Sequence, residues 1–284
     1  MKLQQLEALV AVVDSGSIRA AARVLNLSQA AISKSMRLLE QEAAVPLLVR
    51  LSRGVELTPA GHRLLARARL VTRQLELARD DLRQSNDGDI GTLRVGVVPF
   101  IAMISLGQAY QWFRQRFRNV EVHFIEGLMA RVLPRLRDGT LDLAIVATDV
   151  GELAGDEFSH QRLLLAPQCV LVRDGHPVLA DPTARALTEL EWVFTHPIAG
   201  GQQPRVEAMF ALAGVAPPTR VVVTETQAGL ALIRNADAAA VAPRMVLGVP
   251  ETQGIVAVPD SPLRPGDLEV QLLSRPDEIG RAHV

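Results

Sequence analysis

The chain has 284 residues, a net charge of −1 and 48% hydrophobic residues. That apolar content excludes a mainly disordered chain, and the length allows one large domain or two to three small ones. One cysteine, Cys169, excludes an intrachain disulfide and a thiolate metal cage, which fits a reducing compartment. No apolar run approaches a membrane span, and residues 1–13 do not read as a signal peptide. Charge is uneven: residues 1–70 hold ten Lys/Arg against five acids, a balance of +5, which leaves −6 for the remainder. A basic module joined to an acidic one points to a polyanion partner for the first part only, although solubility alone can produce the same pattern.

The first 42 residues read as three helices. Leu3, Leu6, Leu9, Val10 and Val13 recur at helical spacing, and Asp14-Ser15-Gly16 stops the pattern. Ser17 is suited to cap a second helix, Ile18 to Leu25, and Ser28 a third, running to about Glu42. Leu25 and Leu27 are expected to fill the corner between helices. After Pro46, residues Leu47 to Leu57 read as a hairpin turning at Ser52-Arg53-Gly54. Thr58-Pro59 opens a long helix to about Ser85. Along it Leu64, Ala68, Val71, Leu75, Ala78 and Leu82 step alternately by four and three, the seam of a coiled coil. A dimer seam is the favoured reading, and packing on the helix's own domain the alternative.

Residues 86–89, Asn-Asp-Gly-Asp, read as a linker. Beyond it strands and helices alternate: strand Thr92–Val98, helix Met103–Phe117, strand Val120–Ile125, helix Leu128–Asp138, strand Leu141–Ala147. Further strands are expected near Cys169–Arg173, Val193–Thr195, Arg220–Thr224, Ala239–Ala242 and Leu268–Ser274, with helices near Thr183–Leu190, Pro204–Ala213 and Gln227–Asn235 between them. Such alternation predicts βαβ units and parallel sheets.

The first three helices and the hairpin form a winged helix-turn-helix pattern. Ile32, Met36 and Leu39 are the expected buried stripe of the third helix. Its other face carries Gln29, Ala30, Ser33, Lys34 and Arg37, with Ser28 at its start. These are short polar and basic groups suited to a major groove: Gln pairs with adenine, Lys and Arg with guanine or phosphate, and Ala meets a thymine methyl. Arg50 and Arg53 flank the hairpin, where a wing reaches phosphates.

Residues 3–61 resemble the DNA-binding domain of LysR-type transcriptional regulators. The resemblance is carried by the stretch Gly16 to Ser33, then Leu39-Glu40, Pro46-Leu47-Leu48-Val49-Arg50 and Leu57-Thr58-Pro59-Ala60-Gly61. It continues in Thr92-Leu93-Arg94-Val95-Gly96, Glu126-Gly127, Leu136 to Ile145 and Gly175-His176-Pro177, so nearly the whole chain is covered. Ala30 replaces a usual proline, Ala44 a common glycine and Leu48 a common phenylalanine. The resemblance implies an N-terminal all-α winged helix-turn-helix with a long linker helix, and a C-terminal α/β periplasmic-binding-protein-like effector domain of two lobes. The expected boundaries are 1–58 for DNA binding, 59–87 for the linker and 90–277 for the effector domain. Within the last, the first lobe takes about 90–160 and 266–277, and the second about 161–265.

Ligands of such folds sit at the carboxyl ends of strands. The candidates there are Phe100, Ile101, Glu126, Thr148, Thr195, His196, Gln202, Thr226 and Gln227. Many relatives carry a hydroxyl where this chain has Val98-Pro99-Phe100-Ile101, which predicts a partly apolar pocket wall here instead of a carboxylate-capping site. The resemblance further implies a cytoplasmic protein with no cofactor beyond a small-molecule effector. Its partners would be double-stranded DNA with an inverted-repeat operator, a second copy in a dimer, further copies in a tetramer, and RNA polymerase, with no membrane contact.

An enzyme is not expected. The six histidines show no HxH or HExxH spacing, and there is no GxSxG elbow, Walker A loop or GxGxxG after the first strand. His176 reads as structural and Cys169 as an inert core thiol. The rival class is a small-molecule-binding protein of periplasmic type without a DNA-binding role. The last seven residues, Glu278-Ile279-Gly280-Arg281-Ala282-His283-Val284, match the codons GAG ATC GGA AGA GCA CAC GTC, a string like sequencing-adapter read-through. Residues 278–284 are therefore expected to be adapter-derived, with a last helix missing; a genuinely short tail is the alternative, and the nucleotide record decides between them.

Overall fold

The structure, a computed structural model, describes residues 1–51, 54–87, 90–152, 157–195 and 203–276. It divides into two compact units. The first holds residues 1–93 with 119–121 and 135–141, and the second holds 94–118, 122–134 and 142 onward.

The first unit begins with α1 (Leu3–Asp14), α2 (Ile18–Val24) and α3 (Gln29–Ala43). The strands β1 (Leu48–Arg50) and β2 (Val55–Leu57) follow, then α4 (Pro59–Asp87). Local chemistry sets the breaks. Ser17 Oγ accepts from Ala20 N at 3.1 Å and Ser28 Oγ from Ala31 N at 3.1 Å, so each serine satisfies one orphan amide of its helix. β1 and β2 pair antiparallel, with Leu48 opposite Leu57. Thr58 Oγ1 accepts from Gly61 N at 3.0 Å and donates to Pro46 O at 2.8 Å, which ties the start of α4 to the foot of the hairpin. Leu6, Leu9, Val12, Ala21, Ile32, Met36, Leu39 and Leu47 form one buried core with Leu65 and Ala68 of α4.

Two expectations need correction here. Leu27 does not fill the corner: Asn26 adopts a left-handed φ of 54°, and Leu27 is left 54% exposed while Leu25 packs inward. The seam of α4 is divided. Leu64 and Ala68 pack into the domain's own core because α1 lies along them. Leu75 is half-buried, while Val71, Ala78 and Leu82 are exposed.

α4 is fixed within its unit by two arginines. Arg69 bridges Asp14 Oδ1 at 2.5 Å and Asp138 Oδ2 at 2.7 Å. Burial opposes the Arg69 charge, but the two carboxylates outweigh it and hold the guanidinium above its ordinary range. Arg73, buried, donates to Thr92 O at 3.0 Å. Arg69→Met leaves the poorly exposed Asp138 without this cation and is expected to cost about 1–2 kcal/mol in urea unfolding, less than a fully buried pair because Arg69 keeps some solvent.

The α/β part contains β3 (Ile90–Val97), α5 (Pro99–Arg116), β4 (Asn119–Glu126), α6 (Met129–Arg137), β5 (Leu143–Asp149) and β6 (Ser159–Ala166). It continues with β7 (Gln168–Arg173), α7 (Ala184–Thr188), β8 (Glu191–Thr195), α8 (Gln203–Leu212), β9 (Val221–Thr224), α9 (Thr226–Asn235), β10 (Ala238–Pro243), β11 (Ile255–Ala257) and β12 (Leu268–Ser274). The first lobe's sheet has the order β4-β3-β5-β12-β6, and the second lobe's the order β11-β7-β10-β8-β9. Both are mixed, not purely parallel. β12 runs antiparallel to β5 and β6 because the chain returns through the first sheet after building the second, and β7 is antiparallel to β10 and β11. β6 pairs along β12, so the change of sheet comes at Pro167 and not near residue 160. α5 begins at Pro99, four residues before the expected start, with proline in the first turn where its missing N–H costs nothing. In the second lobe Trp192 is fully buried, donates Nε1–H to Leu187 O at 2.8 Å and meets Phe210 edge-on at 5.0 Å.

Candidate DNA-binding face and ligand cleft

α3 is amphipathic in the required sense. Ile32, Met36 and Leu39 are buried on one side. On the other, Gln29, Ala30, Lys34 and Arg37 are exposed and Ser33 is half-buried. From Gln29 to Arg37 the helix rises about 12 Å, close to the width of a B-DNA major groove. Arg37 Nε lies 3.4 Å from Ser33 O, so the guanidinium runs back along the exposed face. Ser28 is engaged in capping, which leaves the residues after it to meet a partner. Glu40 is a residue that sequence reasoning missed. Its Oε1 accepts from Leu47 N at 2.8 Å and Leu48 N at 3.0 Å, so α3 holds the root of the hairpin. The adjacency of Leu39-Glu40 and Pro46-Leu47 in the motif was the available signal. Arg53 and the Arg50 side chain lie outside the described residues.

The second candidate site is a cavity of about 80 Å³ where Val98 and the start of α5 in the first lobe face β8, β10 and α9 of the second. Of the expected ligand residues, Phe100, Thr195 and Thr226 line it. Ile101 is buried in the adjoining core instead. Thr148 is fully buried within the first lobe, where it donates to Glu152 O at 3.0 Å and accepts from Gln271 Nε2 at 3.3 Å. Glu126 and Gln227 are exposed and outside the lining. His196 and Gln202 lie outside the described residues, as do residues 277–284. Sequence reasoning missed Met103, Leu128, Leu230, Ile233 and Val246, because it searched strand ends for polar groups. His176 is structural: its buried Nδ1 accepts from Val178 N at 3.0 Å and caps a short turn. Burial pushes the Cys169 thiol up, away from the reactive thiolate.

The comparisons with known proteins follow this division. The profile of the bacterial regulatory helix-turn-helix protein, lysR family, matches residues 3–62, and that of the LysR substrate binding domain matches residues 86–284. The chain belongs to the LysR family of transcriptional regulators. It is 27% identical to the HTH-type transcriptional regulator GbpR of Azospirillum brasilense, over 94% of this chain and 83% of that protein. Its fold is that of CbnR, a LysR family transcriptional regulator, with a TM-score of 0.69 at 22% identity over 98% of this chain and 94% of that one. CbnR in complex with its target DNA gives a TM-score of 0.66 at 23% identity, with the same coverage.

Within the LysR family frame, α1 to the hairpin is the helix-turn-helix domain and the two-sheet portion the substrate-binding domain. Ala44, where a glycine is common in the family, ends α3 with a left-handed φ of 53°. A Cβ is disfavoured there by roughly 1–2 kcal/mol. Ala44→Gly is therefore expected to raise the stability of the DNA-binding domain by about 1 kcal/mol in urea unfolding, less whatever the more flexible unfolded chain gives back.

Proposed function

We propose that the chain is a cytoplasmic transcriptional regulator that reads duplex DNA with α3 and answers to a small molecule held in the cleft between its lobes. The observation that carries this reading is the exposed, polar and basic face of α3, held rigidly over a closed core and beside a hairpin wing. Gln29, Ala30, Ser33, Lys34 and Arg37 are the candidates for base and phosphate contacts, with Arg50 and Arg53 on the wing. The apolar cavity supports a small-molecule effector, whose identity the lining leaves open to class only.

Oligomerisation is part of the proposal. Val71, Ala78 and Leu82 are exposed at coiled-coil spacing on α4 and favour a dimer with a second copy. Two-fold pairing of recognition helices favours an inverted-repeat operator. Assembly into a tetramer and contact with RNA polymerase are what the family resemblance adds. No helix among the described residues is long and apolar enough to cross a membrane. The reading without a DNA-binding role has no observation in its favour, since it leaves the α3 face unexplained.

Selection from a random duplex pool, followed by sequencing, tests the function and yields the operator in one experiment. Enrichment of a two-fold symmetric motif is expected. A pool that stays random at a salt concentration where the protein is folded contradicts the proposal.

A further inference from the structure

We infer that the cleft takes an uncharged small molecule whose apolar end fills the cavity beside α5 and α9. The inference rests on the effector reading above and names the ligand class. Among the described lining residues, the polar side chains are Thr195 and Thr226, and none is charged. The rest of the described wall is apolar, with Met103, Leu128, Val193, Leu230 and Ile233 among its larger side chains. By the scale on which an apolar cavity of about 150 Å³ holds benzene, this one takes a group of about three to four carbons.

The two helix ends at the cavity both disfavour an anion. At the start of α5, Pro99 supplies no N–H, and Val98 contributes no side-chain cap. Ile101 N and Ala102 N both donate to Val98 O at 3.1 Å. A carboxylate there would meet the Phe100 amide in place of the several free amides of an ordinary helix start. At the start of α9 the N-cap is Glu225, which makes no side-chain capping bond. A carboxylate side chain thus already stands at the positive end of this helix dipole. A cation finds no carboxylate in the described lining, and Arg234 and Arg244, each next in sequence to a lining residue, are exposed and outside it. What remains is apolar burial, with the threonine hydroxyls to orient a neutral polar group.

Isovaleramide and isovalerate share one carbon skeleton and differ in charge, so they serve as probes. The full chain, labelled at Leu, Val and Ile methyls, is titrated with each and followed by NMR. Isovaleramide is expected to shift the methyls of Val193, Leu230 and Ile233 with a Kd at least tenfold lower than isovalerate. Two variants narrow the cavity. Gly229→Ala places a Cβ 3.0 Å from Val193 Cγ1 and favours the helix, and Ala242→Leu enlarges a lining side chain on β10. Each is expected to weaken amide binding at least fivefold, and the methyl spectrum reports that the fold is kept. Tighter binding of isovalerate at the same methyls overturns the neutral-ligand inference while leaving the cleft as a ligand site. Equal amide binding in both variants places the ligand elsewhere and overturns it. If neither compound moves these methyls, the inference and the effector cleft fall together.

Discussion

Replacing Ser33 and Arg37 together by alanine is expected to abolish selective binding while leaving weak binding to any duplex. Each side chain that reads a base edge is worth about 1–3 kcal/mol of discrimination, so two of them span most of the gap between specific and non-specific binding. The residual, sequence-independent attraction comes from phosphates and survives in the other cations of the basic module. The fold has little stake in either side chain. Arg37 is exposed and Ser33 half-buried, and alanine is the better helix former at both positions. Unchanged thermal unfolding beside lost selectivity therefore separates a contact role from a structural one. Selectivity retained in the double variant would move the reading face elsewhere on the module.

Gly61→Ala is expected to be the most destabilising single-methyl change in the DNA-binding domain. A Cβ at Gly61 would sit 2.1 Å from Leu47 O and 2.8 Å from Leu57 Cδ2. The first of these is backbone, and it accepts from Thr58 N at 3.0 Å, so it has no free direction in which to yield. Leu47 is itself buried in the core with Ile32 and Leu39. Relief requires the hairpin root to shift away from α4. That places the cost at the upper end of overpacking, about 3 kcal/mol, read as a lower urea midpoint with unchanged slope. Alanine normally improves a helix by about 1 kcal/mol over glycine, so the predicted sign is the reverse of what helix propensity gives. The Thr-Pro-Ala-Gly run at the start of α4 thus has three physical reasons: a cap, a first-turn proline and a close approach.

Local chemistry made much of the fold readable. Ser17, Ser28 and Thr58 announce helix starts through their own hydroxyls, and each makes the capping bond expected of it. The buried stripe of α3 follows from spacing alone. What failed depends on distant partners. β6 reads Ser159-His160-Gln161-Arg162 before its leucines, which is no strand pattern in isolation, and becomes a strand by pairing with β12 about a hundred residues later. The mixed character of the first lobe's sheet has the same origin, since the direction of β12 is set by the chain's return from the second lobe. Leu64 and Ala68 belong to the same four-three seam as Val71 and Leu82, and only the position of α1 decides which of them are covered. At the cleft, the Val98-Pro99-Phe100-Ile101 stretch carries no hydroxyl, and Val98, Pro99 and Phe100 line an apolar wall. Met103, Leu128 and Ile233 were indistinguishable from core residues, because a cavity is a property of how elements meet and leaves no mark on periodicity.

The central claim is that α3 reads DNA sequence. Fluorescence anisotropy of the purified chain against its own upstream intergenic duplex and a scrambled duplex, at several salt concentrations, tests it most directly. The account predicts tight binding to the first, weaker and steeply salt-dependent binding to the second, and loss of the difference in the Ser33→Ala, Arg37→Ala variant. A folded protein that binds neither duplex even at low salt would contradict it.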